Sequence, residues 1–94
     1  MTIGILTLHI HLPDCHSLKE KRRLIQPVLV HLHKEFNVSA AEMDLLDRWQ
    51  ETIISCAVIS NDTVHNQQLL QTVLTFVIHS WRDFDVIDHR IEIF

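Results

Sequence analysis

The apolar period of this 94-residue chain alternates between two and 3.6, in the order two, 3.6, two, two, 3.6, two. A period of two marks a half-buried strand, and one of 3.6 an amphipathic helix. Residues 2–12 alternate, with Leu6, Leu8, Ile10 and Leu12 on one side and Ile3, Ile5, Thr7, His9 and His11 on the other. The leucine side is the one expected to face a core. Pro13-Asp14 ends the strand, because proline brings no N–H to a ladder. Ser17 and Glu20 then have capping-box spacing. Leu18, Lys21 (through its methylene stem), Ile25, Val28, Leu29, Leu32 and Phe36 recur at helical spacing to about residue 36. Pro27 falls inside this helix and predicts a kink there.

Residues 37–45 and 50–60 read as the two strands of a hairpin, with β-branched density at Ile53, Ile54, Val58 and Ile59 and a turn from Asp44 to Trp49. Ser60-Asn61-Asp62-Thr63 is rich in N-cap residues and opens a second helix. Its expected core stripe is Leu69, Leu70, Val73, Leu74, Val77, Ile78 and Trp81. Arg82 to Asp85 is a polar connection. Val86 to Phe94 alternates again, with Ile87, His89, Ile91 and Ile93 on the side assigned to the core. Two right-handed βαβ crossovers over one sheet give an α+β, ferredoxin-like βαββαβ plait: a four-stranded antiparallel sheet with two helices on one face. Its core would include Leu6, Leu8, Ile10, Ile54, Val58, Val73 and Val77. With 47% hydrophobic residues, one Gly and two Pro, the chain has material for one core and little for linkers, so residues 1–94 form a single domain.

Charge is unevenly placed. The net charge of −4 divides into +2 over residues 1–40 and −6 over residues 41–94. Four of the eight Lys and Arg fall in Ser17-Leu18-Lys19-Glu20-Lys21-Arg22-Arg23, at the start of the first helix. An acidic balance argues against a general nucleic-acid binder, but a local basic patch on an acidic body is compatible with it. Lys19, Lys21, Arg22 and Arg23 are therefore the candidate anion- or RNA-binding residues, able to neutralise two or three backbone phosphates. The competing reading is a solvated helix face. Cations at the positive end of a helix dipole are mildly unfavourable, which hints at an anion there. Neither central strand, 2–12 or 50–60, carries Phe, Tyr or Trp in its interior, so base stacking on the sheet is not expected and any RNA contact would be to backbone and shape.

No stretch spells a catalytic or cofactor motif. His9-x-His11 has metal-site spacing but no third ligand nearby in sequence, and His31 and His33 point apart on their helix. Asp14-Cys15-His16 precedes a helix start that can activate a thiol, yet adjacent residues rarely face one another and no Gly loop offers an oxyanion site. His89 reads as a hydrogen-bonded core histidine. Glu42, Glu92 and Asp88 read as edge or outer-face charges that limit aggregation. A non-enzymatic protein without metal or cofactor is the expectation. Cys15 and Cys56 suggest reduced thiols, no apolar run approaches the roughly 20 residues of a membrane span, and no signal-peptide pattern opens the chain. A cytoplasmic protein with no membrane partner follows as an expectation.

Several stretches together resemble the YlxP-like family of small bacterial proteins, a domain of unknown function. They are Leu12-Pro13 followed by residues 17–23, Phe36-Asn37-Val38-Ser39 with Ala41-Glu42, Trp49-Gln50, Val58-Ile59-Ser60-Asn61-Asp62, and the closing Ile91-Glu92-Ile93. The resemblance implies a ferredoxin-like fold in a cytoplasmic bacterial protein. In some genomes its members are encoded beside translation-initiation and ribosome-maturation genes. That association, combined with the basic helix start, leads to the expectation of an accessory protein of the translation machinery binding RNA backbone or a ribosome-associated factor. The alternatives are a small protein-interaction or regulatory module self-associating through its sheet and, last, a metal- or thiol-dependent enzyme. Pro27 and the many histidines depart from the family pattern. The sheet face away from the helices would carry Ile3, Ile5, Ile53, Ala57, Ile59 and Phe94, a patch that predicts a homodimer.

Overall fold

The computed structural model describes residues 1–94. Its elements run β1 (Thr2–His11), α1 (Leu18–Phe36), β2 (Ser39–Asp44), β3 (Glu51–Ser60), α2 (Thr63–Ser80) and β4 (Asp85–Ile93). All pairings are antiparallel and the strand order is β2-β3-β1-β4. This is the ferredoxin-like plait the periodicity predicts. α1 packs over β2, and α2 over β1, β3 and β4. Leu6, Leu8, Ile10, Leu12, Ile54, Cys56, Leu70, Val73 and Val77 are fully buried between the layers.

Local chemistry sets the ends of each helix. Ser17 Oγ accepts the Glu20 N–H at 3.0 Å, and the Glu20 carboxylate accepts from the His16 N–H at 3.3 Å, one residue further back than a strict capping box. α1 ends on Asn37 in the left-handed region (φ 51°). It runs unbroken through Pro27; Pro27 and Arg23, whose carbonyl loses its partner, are both exposed, so water can solvate the freed group. Asp62 caps α2 by accepting from the Val64 and His65 N–H groups. Asn66, buried at the start of α2, accepts from Ser60 Oγ at 2.7 Å and donates to the Thr2 carbonyl at 3.3 Å. A Cβ on Gly4 would lie 2.8 Å from Leu70 Cδ1, so the only glycine marks where α2 presses closest on the sheet.

Three sequence expectations change. β4 carries a bulge: His9 pairs with Asp88 but Ile10 with Val86, which leaves Ile87 as the extra residue. Val86 therefore takes the core side, and Ile87 is exposed. His89 stays opposite Leu8 but on the edge strand β4, where it is exposed and not a core histidine. Ile78 of the expected α2 stripe is also exposed, whereas Asn66, a polar residue, is buried. The helices meet through aromatic rings: His31 stacks on Phe76 with centroids 4.8 Å apart, and Trp81 stands edge-on to both.

Candidate functional site

The first turns of α1 place the basic run in two different environments. Lys21 lies on the stripe shared with Ile25, Val28 and Leu32 and is only 2% exposed. Its Nζ is 2.8 Å from Glu42 Oε2 and donates to the Leu45 carbonyl at 2.7 Å. Thr52 Oγ1 donates to the same Glu42 oxygen at 2.6 Å. Leu45 presents that carbonyl from a left-handed backbone conformation (φ 58°), with its own N–H held by Asp44 Oδ1. Lys21 thus pins α1 to β2 and to the β2–β3 turn. Two assignments are corrected by this: Lys21 is withdrawn from the anion-binding set, and Glu42 points inward instead of lying on an outer face.

Lys19, Arg22 and Arg23 are exposed on the side of α1 away from the core. The chain's four ion pairs are His9–Glu51, Lys21–Glu42, Arg48–Glu51 and Arg90–Glu92, so none of the three cations is neutralised. Glu20, three residues before Arg23, is turned back to the His16 N–H instead. Three free cations at the positive end of a helix repel one another and the dipole, and a bound anion relieves both.

Beside this start lies a cleft of about 550 Å³ lined by His11, His16, Arg48, Trp49 and Glu51, among others. The Gln50 side chain donates to the Cys15 carbonyl and the Leu12 N–H donates to the Gln50 carbonyl, which ties the pre-helix loop to the β2–β3 turn. Sequence reasoning treated that turn only as a connection. The available signal was Trp49, a large apolar side chain left exposed in a polar turn. A second groove, of about 560 Å³, separates α1 from β2.

On the open sheet face the β1–β3 register sets Ile3 opposite Ile59, Ile5 opposite Ala57 and His9 opposite Ile53. Phe94 exchanges both backbone hydrogen bonds with Ile3. Five of the six predicted interface residues therefore form one apolar area, with Ile53 set apart from it by the Thr7–Ser55 pair. Ile59 is 62% and Phe94 67% exposed. No Phe, Tyr or Trp stands on the open face of β1 or β3.

The model of the family described as a protein of unknown function, DUF503, matches residues 3–91. The chain belongs to this family. It is 36% identical over 75 residues to the uncharacterized protein YlxP of Bacillus subtilis strain 168, a match covering 80% of this chain and 82% of YlxP.

The remaining chemical candidates of this DUF503 chain do not assemble. His9 and His11 share the open face, but no three His, Cys, Asp or Glu side chains converge anywhere in the chain. His9 Nε2 is buried and lies 3.3 Å from Glu51 Oε1, with no other polar partner. Cys15 is fully buried, its thiol donating to the Ser17 carbonyl, so it faces neither Asp14 nor His16 as a nucleophile would. Burial pushes the Cys56 thiol up to about 12, which keeps it protonated and unreactive near neutral pH. No helix is long and apolar enough to cross a membrane.

Proposed function

We propose that this DUF503 chain is a non-enzymatic accessory protein of the translation machinery, which binds RNA backbone on the ribosome through Lys19, Arg22 and Arg23. The observation that carries this reading is the set of three exposed cations, none in an ion pair, on the outer side of the first turns of α1. The resemblance to a family encoded in some genomes beside translation genes supplies the partner class. Phosphate contacts release counterions, so affinity falls steeply with salt. The test replaces all three residues with Ala. The fold should persist, because Leu18, Ile25, Val28 and Leu32 are untouched and exposed charges are each worth under about 1 kcal/mol. Ribosome co-sedimentation should fall, and the slope of log affinity against log salt should shrink by about two to three. Unaltered co-sedimentation of the variant rejects the site.

A second reading is a protein-interaction module that self-associates through its sheet. It is favoured by the contiguity of Ile3, Ile5, Ala57, Ile59 and Phe94 on the uncovered face.

A further inference from the structure

We infer that the groove between α1 and the outer edge of β2 is a docking site for an extended peptide of another protein, acidic at both ends of an apolar stretch, which adds to the sheet as a fifth strand. β2 is an edge strand whose only partner is β3. Every second residue of such a strand turns its N–H and C=O outward, where they are open to pairing. Natural edges are commonly blocked by Lys, Pro or an inward charge. Over Ser39-Ala40-Ala41 the side chains are small, and the one inward charge of the strand, Glu42, is already neutralised by Lys21 at 2.8 Å.

The groove beside this edge is about 560 Å³ in volume, with Ile25, Leu29 and Ala40 among its lining. Val30 and Leu46, 48% and 59% exposed, contribute apolar surface to it. Arg22 stands towards one end and Lys34 towards the other, and neither is in an ion pair. Twelve helical residues separate them, about 18 Å along the axis. An extended strand advances about 3.3 Å per residue with alternate side chains on one side, so residues i and i+6 span about 20 Å. The fitting sequence is therefore acidic-x-apolar-x-apolar-x-acidic, all four named side chains facing the groove. Its carboxylates meet the two cations, and its apolar pair covers Leu29 and Val30. This is strand addition with side-chain pockets for specificity.

Charge complementarity chooses among the other occupants. A second copy pairing edge to edge about a two-fold axis would set one α1 against the other, with Arg22 and Lys34 of both lining the seam. RNA would satisfy the cations but leave the apolar lining and the strand edge unused. This site extends beyond the phosphate-binding reading and uses a different part of α1, with only Arg22 near both.

The experiment titrates the full chain into a fluorescein-labelled peptide Glu-Thr-Val-Thr-Val-Thr-Glu, and repeats the titration with Lys at both ends. Amide shifts of the isotope-labelled protein locate the site. Saturable binding of the acidic peptide is expected, with shifts in residues 29–30 and 39–44. The Lys-ended peptide should bind at least about tenfold more weakly, as should the acidic peptide to a Val30→Glu variant. A Lys19→Ala/Arg23→Ala variant should bind the acidic peptide as before, so failure of the RNA reading and failure of this one are told apart. Absence of saturable binding overturns the inference. So do shifts outside the groove, or unchanged affinity in Val30→Glu. Edge-to-edge dimers dissolved by Val30→Glu would name a second copy as the occupant and equally overturn it. A short oligoribonucleotide that shifts the same β2 amides would do so in favour of RNA.

Discussion

Lys21 shows how one side chain joins sequence, packing and site. Its spacing on the core stripe of α1 was readable, because the helical period puts residues 21, 25, 28 and 32 on one side. Its partner was not. Glu42 lies on another element, and the direction it faces depends on the β2–β3 register, which sets Glu42 opposite the buried Ile54. A buried pair is weak evidence for net stability, but losing one member strands the other. Lys21→Met should therefore cost about 3–5 kcal/mol, and adding Glu42→Gln should recover much of it, since the amide oxygen can still accept from Thr52. Urea unfolding of the two singles and the double measures this. An equal cost of Lys21→Met with and without the Gln substitution would discount the pair. Cys56 makes a second residue-scale prediction. Its thiol moves from 9.0 to about 12 through burial. Above pH 9 the unfolded chain loses this proton while the folded chain keeps it, so stability is intact below pH 9 and declines between 9 and 12. The decline amounts to up to about 4 kcal/mol. In Cys56→Ala that alkaline decline should be shallower than in the unaltered protein. Parallel stability curves from pH 9 to 11 would contradict the shift.

At the scale of elements, what was legible followed from periodicity and what was not followed from register. All six elements stand in the predicted order, because each carries a run of alternating or helical spacing long enough to bury one side. Bulges leave no such mark. One extra residue, Met43 in β2 and Ile87 in β4, changes neither composition nor run length but reverses which side each neighbour faces. The assignment of Ile87 to the core failed for that reason, since the adjacent Val86 and Ile87 fit either parity. The β2–α1 groove was equally invisible, because its lining comes from two elements whose approach only the packed structure sets. The basic helix start was the most legible part of the candidate site. Three of its four cations are exposed on α1, and for Lys21 only the partners, Glu42 and the Leu45 carbonyl, required the structure. The same geometry explains why the triple Ala variant of α1 should remain folded: Lys19, Arg22 and Arg23 contribute no side chain to the core cluster and no partner to an ion pair.

The whole molecule is a two-layer plait whose helices cover one face of the sheet and leave the other open. Both faces carry apolar residues on β1 and β3, so burial on one side alone does not account for Ile3, Ile5 and Ile59. Around them the open face turns polar, with Thr7 and Ser55 across the centre, and His9, Glu51, Asp88 and the Arg90–Glu92 pair toward the rim. An apolar area bordered by polar and charged groups is the anatomy of an interface core and rim. Sheets stack face to face about 10 Å apart with nearly aligned strands, and a two-fold axis through this face would set each patch against its own copy. Such a dimer leaves the β2 edge and the start of α1 free, so it is compatible with RNA at one and a peptide at the other. Ile59 is the residue to change, because it is exposed in the monomer and lies directly across from Ile3 in the patch. Ile59→Lys should leave monomer stability within about 0.5 kcal/mol while introducing two like charges across the axis. Sedimentation equilibrium of the unaltered protein at micromolar concentration should give a dimer mass, and the variant a monomer mass. A monomer in both refutes association through the sheet. A dimer in both moves the interface elsewhere, and a pair of β2 edges is then the surface to examine.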